Sequence, residues 1–367
     1  MKTKLVFIVT GIAVLTGGTF CGWHNKEPEQ QKITTLNAQE QKTVSEILTN
    51  RKSYCIGSYS IELPDGMAPD STTRPVIRFD DINITTQRLY LPSFEQRIQL
   101  REDELRKTKP VDPINGSYLK AVYSLENNEK GVVFERMESV SVPDSARILE
   151  THLYKDSVAF TLEMKARNGE NERYDKYRDE YPRLYINNVP QKLNELNNII
   201  SGIVDAKDNT PSRSGELCFP GWRILSNKIE HRNNFIAFSQ VFPGNPDLYI
   251  TLKYDNYMKA QESFADFKSY DESLIEKNGG AIIKKGFTFV NGIKAEEWLS
   301  KDILHNGNYF YDFYLVINGR KSSESEPKLV VNLSLENKKN ANPQMSDAEM
   351  FAIWDEIINT VQNQKTP

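Results

Sequence analysis
The sequence predicts an α+β fold of two similar domains, each an antiparallel sheet packed with about two helices, and three observations carry that prediction. Short segments of alternating polarity, bounded by Gly, Pro, Asn and Asp, recur along the chain as half-buried strands do. Each half closes on a stretch whose apolar residues recur at helical spacing. The same order of elements is met twice, from Cys55 and again from Cys218. At 367 residues the chain is long enough for two domains, given ~100–200 residues for each.

The N-terminus carries Lys2 and Lys4 ahead of an uncharged run from Leu5 to Phe20, the pattern of a secretory signal, so export to the periplasm is expected. The run falls short of the ~20 residues of a comfortable membrane span. Cleavage after Gly18 or Thr19, lipidation at Cys21 and an uncleaved anchor reaching Trp23 are the alternatives; bulky Phe20 stands where a lipoprotein box has a small residue. His24 to Asn37 is polar and reads as a tether, followed by a short helix from Ala38 to Leu48. Residues 1–22 are therefore the signal peptide or anchor, 23–50 the tether and helix, 51–208 the N-terminal domain and 209–367 the C-terminal domain.

The first half opens on a strand over Tyr54 to Pro64. A strand from Val76 to Thr86, bulged at Asp80-Asp81, and a helix over Phe94 to Lys107 come next. Strands at Tyr118–Leu125 and Gly131–Val140 precede a hairpin over Arg147 to Arg167, and the amphipathic stretch Pro190 to Val204 closes the half. Asp205 to Ser214 is the linker by composition. The second half opens at Leu217 to Ile224 and continues with strands at Phe235–Phe242 and Leu248–Tyr254, then a helix over Gln261 to Lys277. Strands at Ala281–Val290, Ile293–Ser300, Tyr309–Ile317 and Lys328–Glu336 follow. Ser346-Asp347-Ala348-Glu349 is a capping box that starts the last helix.

Lys and Arg number 46 against 50 Asp and Glu, a net charge of -4 with no basic cluster, which argues against a nucleic-acid partner. No Gly-x-Ser-x-Gly elbow and no phosphate-cradling glycine spacing occurs, and the four His lie in separate segments without metal-ligand spacing. Adjacent carboxylates such as Asp80-Asp81 point to opposite faces of a strand and make no acid–base pair. No catalytic residue, metal site or cofactor is therefore expected. The aromatic run Tyr309 to Tyr314 reads as a strand with aromatics on both faces, one buried against helices, or else as an aromatic anchor surface for a protein partner. Cys55 and Cys218 open the two halves; in an oxidising compartment a disulfide between them is one reading and two buried thiols the other.

The segment Asn50-Arg51-Lys52-Ser53-Tyr54-Cys55-Ile56-Gly57-Ser58-Tyr59-Ser60-Ile61-Glu62-Leu63-Pro64 resembles the opening of the immunity proteins of bacterial type VI secretion lipase effectors of the fourth class. Cys218 to Ile224 and Asn291-Gly292-Ile293-Lys294-Ala295-Glu296-Glu297-Trp298 are similar to that family's C-terminal domain. The resemblance implies a claw-like arrangement and a non-enzymatic periplasmic inhibitor, monomeric when free. Its partner would be a cognate phospholipase of α/β-hydrolase type, clasped so that its lid or substrate entrance is blocked. The membrane is met only through the N-terminal segment. The turn with Phe242, Pro243, Asn245 and Asp247 and the loop with His305, Asn308 and Tyr309 are the candidate partner contacts. An envelope ligand- or lipid-binding protein using the interdomain cleft is the alternative, and would show an apolar pocket. An envelope hydrolase would show clustered carboxylates or His in a cleft.

Overall fold
The computed structural model describes residues 35–205, 215–229, 231–338 and 344–364; the export segment, Cys21 and most of the linker lie outside the described residues. Asn37 opens α1 (Ala38–Ile47) with a capping box, its side chain accepting from the amides of Gln39 and Glu40 while Glu40 accepts from the Asn37 amide. The expected opening strand is instead a hairpin, β1 (Arg51–Ile56) and β2 (Tyr59–Pro64), turned at Gly57-Ser58. Gly57 takes a φ of +58°, and a Cβ there would come within 2.1 Å of the Tyr254 ring, so only glycine fits this turn. After β3 (Ala68–Pro69), the expected bulged strand is likewise a tight hairpin of β4 (Val76–Phe79) and β5 (Ile82–Arg88). Asp80 turns it with a φ of 52°, a conformation Asp tolerates better than most side chains.

Helix α2 (Leu91–Lys107), with Pro in its first turn, leads to a meander of β6 (Leu119–Ser124), β7 (Lys130–Met137), β8 (Ala146–Lys155) and β9 (Val158–Arg167). Short α3 (Asp175–Arg178) and α4 (Pro182–Tyr185), unforeseen in the sequence, precede α5 (Val189–Gly202) and β10 (Ile203–Asp205). The second repeat follows the same order. It has a hairpin, β11 (Glu216–Phe219) and β12 (Trp222–Leu225), and then a second, β13 (Asn234–Phe242) and β14 (Asn245–Asp255). Its helix is broken at Lys268 into α6 (Phe264–Phe267) and α7 (Ser269–Lys277). The meander is β15 (Ala281–Val290), β16 (Ile293–Ile303), β17 (Tyr309–Ile317) and β18 (Lys328–Asn337). The capping box at Ser346 and Glu349 starts α8 (Asp347–Ile358), and β19 (Gln362–Asn363) ends the described chain.

Both repeats contribute to one 13-stranded antiparallel sheet, ordered β15-β16-β17-β18-β14-β13-β4-β5-β9-β8-β7-β6 with β3 beside β13. The order reads alike from either end. At its centre the equivalent strands β4 and β13 pair antiparallel, Asn234 opposite Phe79 and Ala237 opposite Val76, as an internal two-fold relation requires. The opening hairpins are exchanged across this centre. Tyr59 of β2 packs edge-on against Tyr254 of β14 at 6.4 Å and donates to the Pro327 carbonyl at 2.7 Å, so the first repeat's hairpin lies on the second repeat's strands. Trp222 of β12 meets Phe160 of β9 at 4.6 Å, and Phe219 meets Phe79 at 6.4 Å, completing the exchange. The closing strands follow suit, β19 adding to β2 and β10 to β12. Cys55 and Cys218 form a disulfide with Cα atoms 5.5 Å apart, and Gly57 and Cys218 exchange both backbone hydrogen bonds at 2.8 Å beside it.

One face of the large sheet carries the core. Ile236, Phe238, Ile250, Leu252, Leu315 and Leu333 point to that side and are buried beneath α5, α8 and the exchanged hairpins. Trp354 of α8 anchors there by donating to Glu297 at 2.7 Å, and Phe351 stacks on Phe313 at 5.5 Å. No helix among the described residues is long and apolar enough to cross a membrane.

Candidate functional site
The opposite face of the sheet is only partly covered. Strand β13 alternates half-buried and buried along its whole length, as does β14 to Leu252, and the half-buried residues Phe235, Ala237, Ser239, Tyr249 and Thr251 face away from the core with exposed Lys253. Arg78 on β4, Asn83, Thr85 and Gln87 on β5, and Thr161 and Glu163 on β9 continue this surface. It mixes polar, charged and aromatic side chains and is open through the middle of the molecule, bounded on either side by a helical arm. The sequence suggested a cleft between two bodies; pairing of β4 with β13 makes its floor one continuous sheet.

The first arm is α2, set on β7 and β8. Phe94 packs on Tyr154 with rings 5.1 Å apart, and Arg101 grips Glu150 with two bonds of 2.7 and 2.8 Å. Arg136 adds a bond to Glu150 at 2.5 Å and reaches Glu163 at 2.7 Å, while His152 lies 3.0 Å from Glu150. Burial pushes the Glu150 carboxyl up, but the hydrogen bonds from Arg101, His152 and Arg136 outweigh it and hold the group well below the usual carboxylate range. This is the clustered carboxylate and His that a hydrolase reading would seek. Its chemistry is wrong for that role, because a general base works near neutrality and both Glu150 oxygens are already taken by cations. The cluster fastens α2 to the sheet.

The second arm, α6 and α7, sits on β15 to β17. Phe264 packs on Tyr314 with rings 5.1 Å apart, and its amide donates to Glu296 at 2.6 Å. Lys268 lies over the Tyr314 ring at 4.8 Å, and Lys285 pairs with Glu272 at 2.7 Å. Tyr314 is thus covered on this face while Tyr311 and Phe313 enter the core on the other, so β17 carries buried aromatics on both sides. Burial of Tyr314 pushes its phenol up. Phe267, Tyr270 and Leu274 form an exposed apolar stripe along the arm, and Phe287 and Phe289 are exposed on the edge strand β15. No motif marked these residues; helical spacing of Phe267, Tyr270 and Leu274 beyond the buried Ile275 was the available signal.

The contacts read from the sequence gather at one end of the second repeat's strands, since the β13–β14 and β16–β17 turns both flank the end of β18. They do not face the open sheet. Phe242 is 2% exposed and belongs to the core. Pro243 is exposed, Asn245 half-buried, and Asp247 pairs with Lys338 at 2.7 Å. His305 is exposed, Asn308 donates to Glu336 at 2.7 Å, and Tyr309 lies under the Lys301 ammonium at 4.4 Å. Among the described residues no cluster of His, Cys, Asp or Glu has the geometry to hold a metal. A cavity of about 760 Å³ is lined by charged Lys294, Glu296, Arg320 and Lys321 together with Phe287 and Ile293.

The molecule is thus a body of two intertwined repeats with one sheet face left open between two docked arms. The chain belongs to the family of Tle cognate immunity protein 4: the family's N-terminal domain matches residues 52–204 and its C-terminal domain residues 209–366. The chain is similar in structure to the apo immunity protein TplEi of the type VI secretion system of Pseudomonas aeruginosa, with a TM-score of 0.67, 16% identity, and 87% of this chain and 99% of that one covered. The crystal structure of a Tle4–Tli4 complex matches with a TM-score of 0.67 at 14% identity, over 87% of this chain and 99% of that chain. TplEi complexed with an "L" peptide matches with a TM-score of 0.63 at 14% identity, over 87% and 100%. At such identities these likenesses establish the fold. No curated protein matches the chain in sequence.

Proposed function
We propose that this protein is an immunity protein that binds and inhibits a cognate phospholipase effector of α/β-hydrolase type delivered by a type VI secretion system. The observation that carries the reading is the uncovered sheet face between two arms, in a chain of the Tle cognate immunity protein 4 family. The effector seats on that face, α2 and α6–α7 flank it, and its lid or substrate entrance is thereby blocked. Inhibition needs no catalytic group, and the buried carboxylate–His cluster at Glu150 and His152 is locked by arginines. The protein acts in the periplasm as a free monomer before capture, its N-terminus cleaved, lipidated at Cys21 or kept as an anchor. The Cys55–Cys218 disulfide supports an oxidising compartment.

The test is co-expression with a candidate cognate phospholipase, both exported to the periplasm of a susceptible cell. Survival together with a one-to-one complex is the expected result. Lysis despite folded, exported protein would overturn the reading.

A further inference from the structure
Resting on that reading, the geometry points to a carboxylate-recognition subsite at Arg74 and Arg97, which receives an acidic side chain on a protruding segment of the effector. Both arginines line a cavity of about 400 Å³ in the open face, where the loop before β4 approaches α2. Its floor is Thr85, Gln87 and Thr161, adjoining strand residues that supply hydroxyl and amide groups, and no Asp or Glu is among the lining residues. Arg97 donates to Gln87 at 2.9 Å, which fixes its guanidinium over the floor and leaves further N–H donors free to point outward. Among the described residues neither arginine has a carboxylate within ion-pair distance. The nearby acids are engaged elsewhere: Glu163 by Arg136 at 2.7 Å, and Asp70 by Thr72 and Thr73 within its own loop at 2.7 and 3.0 Å.

Charge complementarity decides the occupant. The chain as a whole carries -4, yet beside the cavity the surface presents Arg74, Arg78 and Arg97, with Glu163 paired to Arg136 and Asp70 held in its own loop, while Asp312 and Glu336 lie farther along the face near Tyr249. Guanidinium is the group that takes a planar carboxylate in a two-pronged grip, and two of them beside threonine hydroxyls suit an Asp or Glu carried into the cavity. A protein segment is favoured over a lipid phosphate because the site lies against α2 on a sheet face walled by both arms, where a flat bilayer has no access and a protruding loop does.

The experiment measures binding of the full-length protein to its cognate phospholipase, identified by the protection test above, at low and high salt, for wild type, for Arg74→Glu with Arg97→Glu, and for Lys42→Glu on α1 as a control. Both arginines are exposed, so the double variant is expected to unfold at the wild-type temperature, and Arg74→Gln with Arg97→Gln serves if it does not. The double reversal should weaken binding about 10- to 100-fold and flatten its salt dependence, with Lys42→Glu unchanged. Wild-type affinity in the double variant would overturn the subsite and leave the proposed function standing. Failure of the wild type to bind would overturn both. Binding of the wild type, but not of the double variant, to phosphatidylglycerol vesicles would overturn the protein-segment assignment.

Discussion

The two arms answer one structural need with different chemistry. In the first repeat, α2 is a single 17-residue helix fastened by a buried ionic cluster of Arg101, Glu150, Arg136 and His152. In the second repeat the corresponding place holds two short helices fastened by Phe264 on Tyr314 and by the Lys268 ammonium over the same ring. The internal two-fold relation thus preserves strand order and hairpin exchange but not side chains. Strand order is imposed by backbone pairing, which many sequences satisfy, whereas a helix can be docked on a sheet face by any contact that beats its loss of entropy. The consequence is a pair of arms docked by unlike chemistry. The first arm should answer to pH, and the second should depend chiefly on aromatic packing.

Replacing Glu150 by Gln should break the comparison most. It leaves Arg101 and Arg136 facing a neutral amide, and loss of one member of such a buried cluster costs about 3–5 kcal/mol. Chemical denaturation at pH 7 measures the loss, and hydrogen exchange should place the new mobility in α2 while α6–α7 stays protected. The pH dependence has a defined sign. The folded state holds the Glu150 carboxyl below its ordinary value of 4.5, so its contribution is fully present above that pH and declines as pH falls toward the depressed folded value. In Glu150→Gln the acid limb of the stability curve should flatten.

Removing the disulfide tests what both arms share. Cys55→Ser with Cys218→Ser opens a cross-link spanning 163 residues at the exchanged hairpins and should cost about 2–5 kcal/mol, read as a lower melting temperature. Because the cross-link lies on the core side, both arms should lose protection together. A loss confined to one arm would show that the repeats unfold independently. Phe264→Ala should cost about 1–2 kcal/mol, since the ring is only half-buried, and should loosen α6–α7 equally at pH 4 and pH 7. Ser346→Ala removes the side chain that accepts from the Glu349 amide at the start of α8, for about 1 kcal/mol, and should leave both arms docked.

Local pattern made much of this fold legible. The alternation of β13, the apolar spacing of α5 and the capping box of α8 are written in neighbouring residues and recur in the structure. The splits at Gly57-Ser58 and Asp80-Asp81 were missed because apolar residues continue through both turns and the reversal depends on single left-handed residues. The exchange of hairpins and the pairing of β4 with β13 join segments far apart in the chain, and no periodicity records them. The open face was hidden for the same reason. Thr85, Ser239, Thr251 and Thr161 are ordinary polar members of alternating strands until the strand order sets them side by side. Glu150 and His152, two apart and so on one face of β8, were the readable part of the arm-docking cluster; their partner Arg101 comes from α2.

The most direct test of the central claim is a hydrogen-exchange footprint of the one-to-one complex with the cognate phospholipase, compared with the free protein. The account predicts new protection in α2, α6–α7 and the strand segments carrying Arg78, Thr85 and Lys253, with α8 and the exchanged hairpins unchanged. A footprint confined to α1, α8 or the hairpin side, in a complex that still inhibits the lipase, would contradict it.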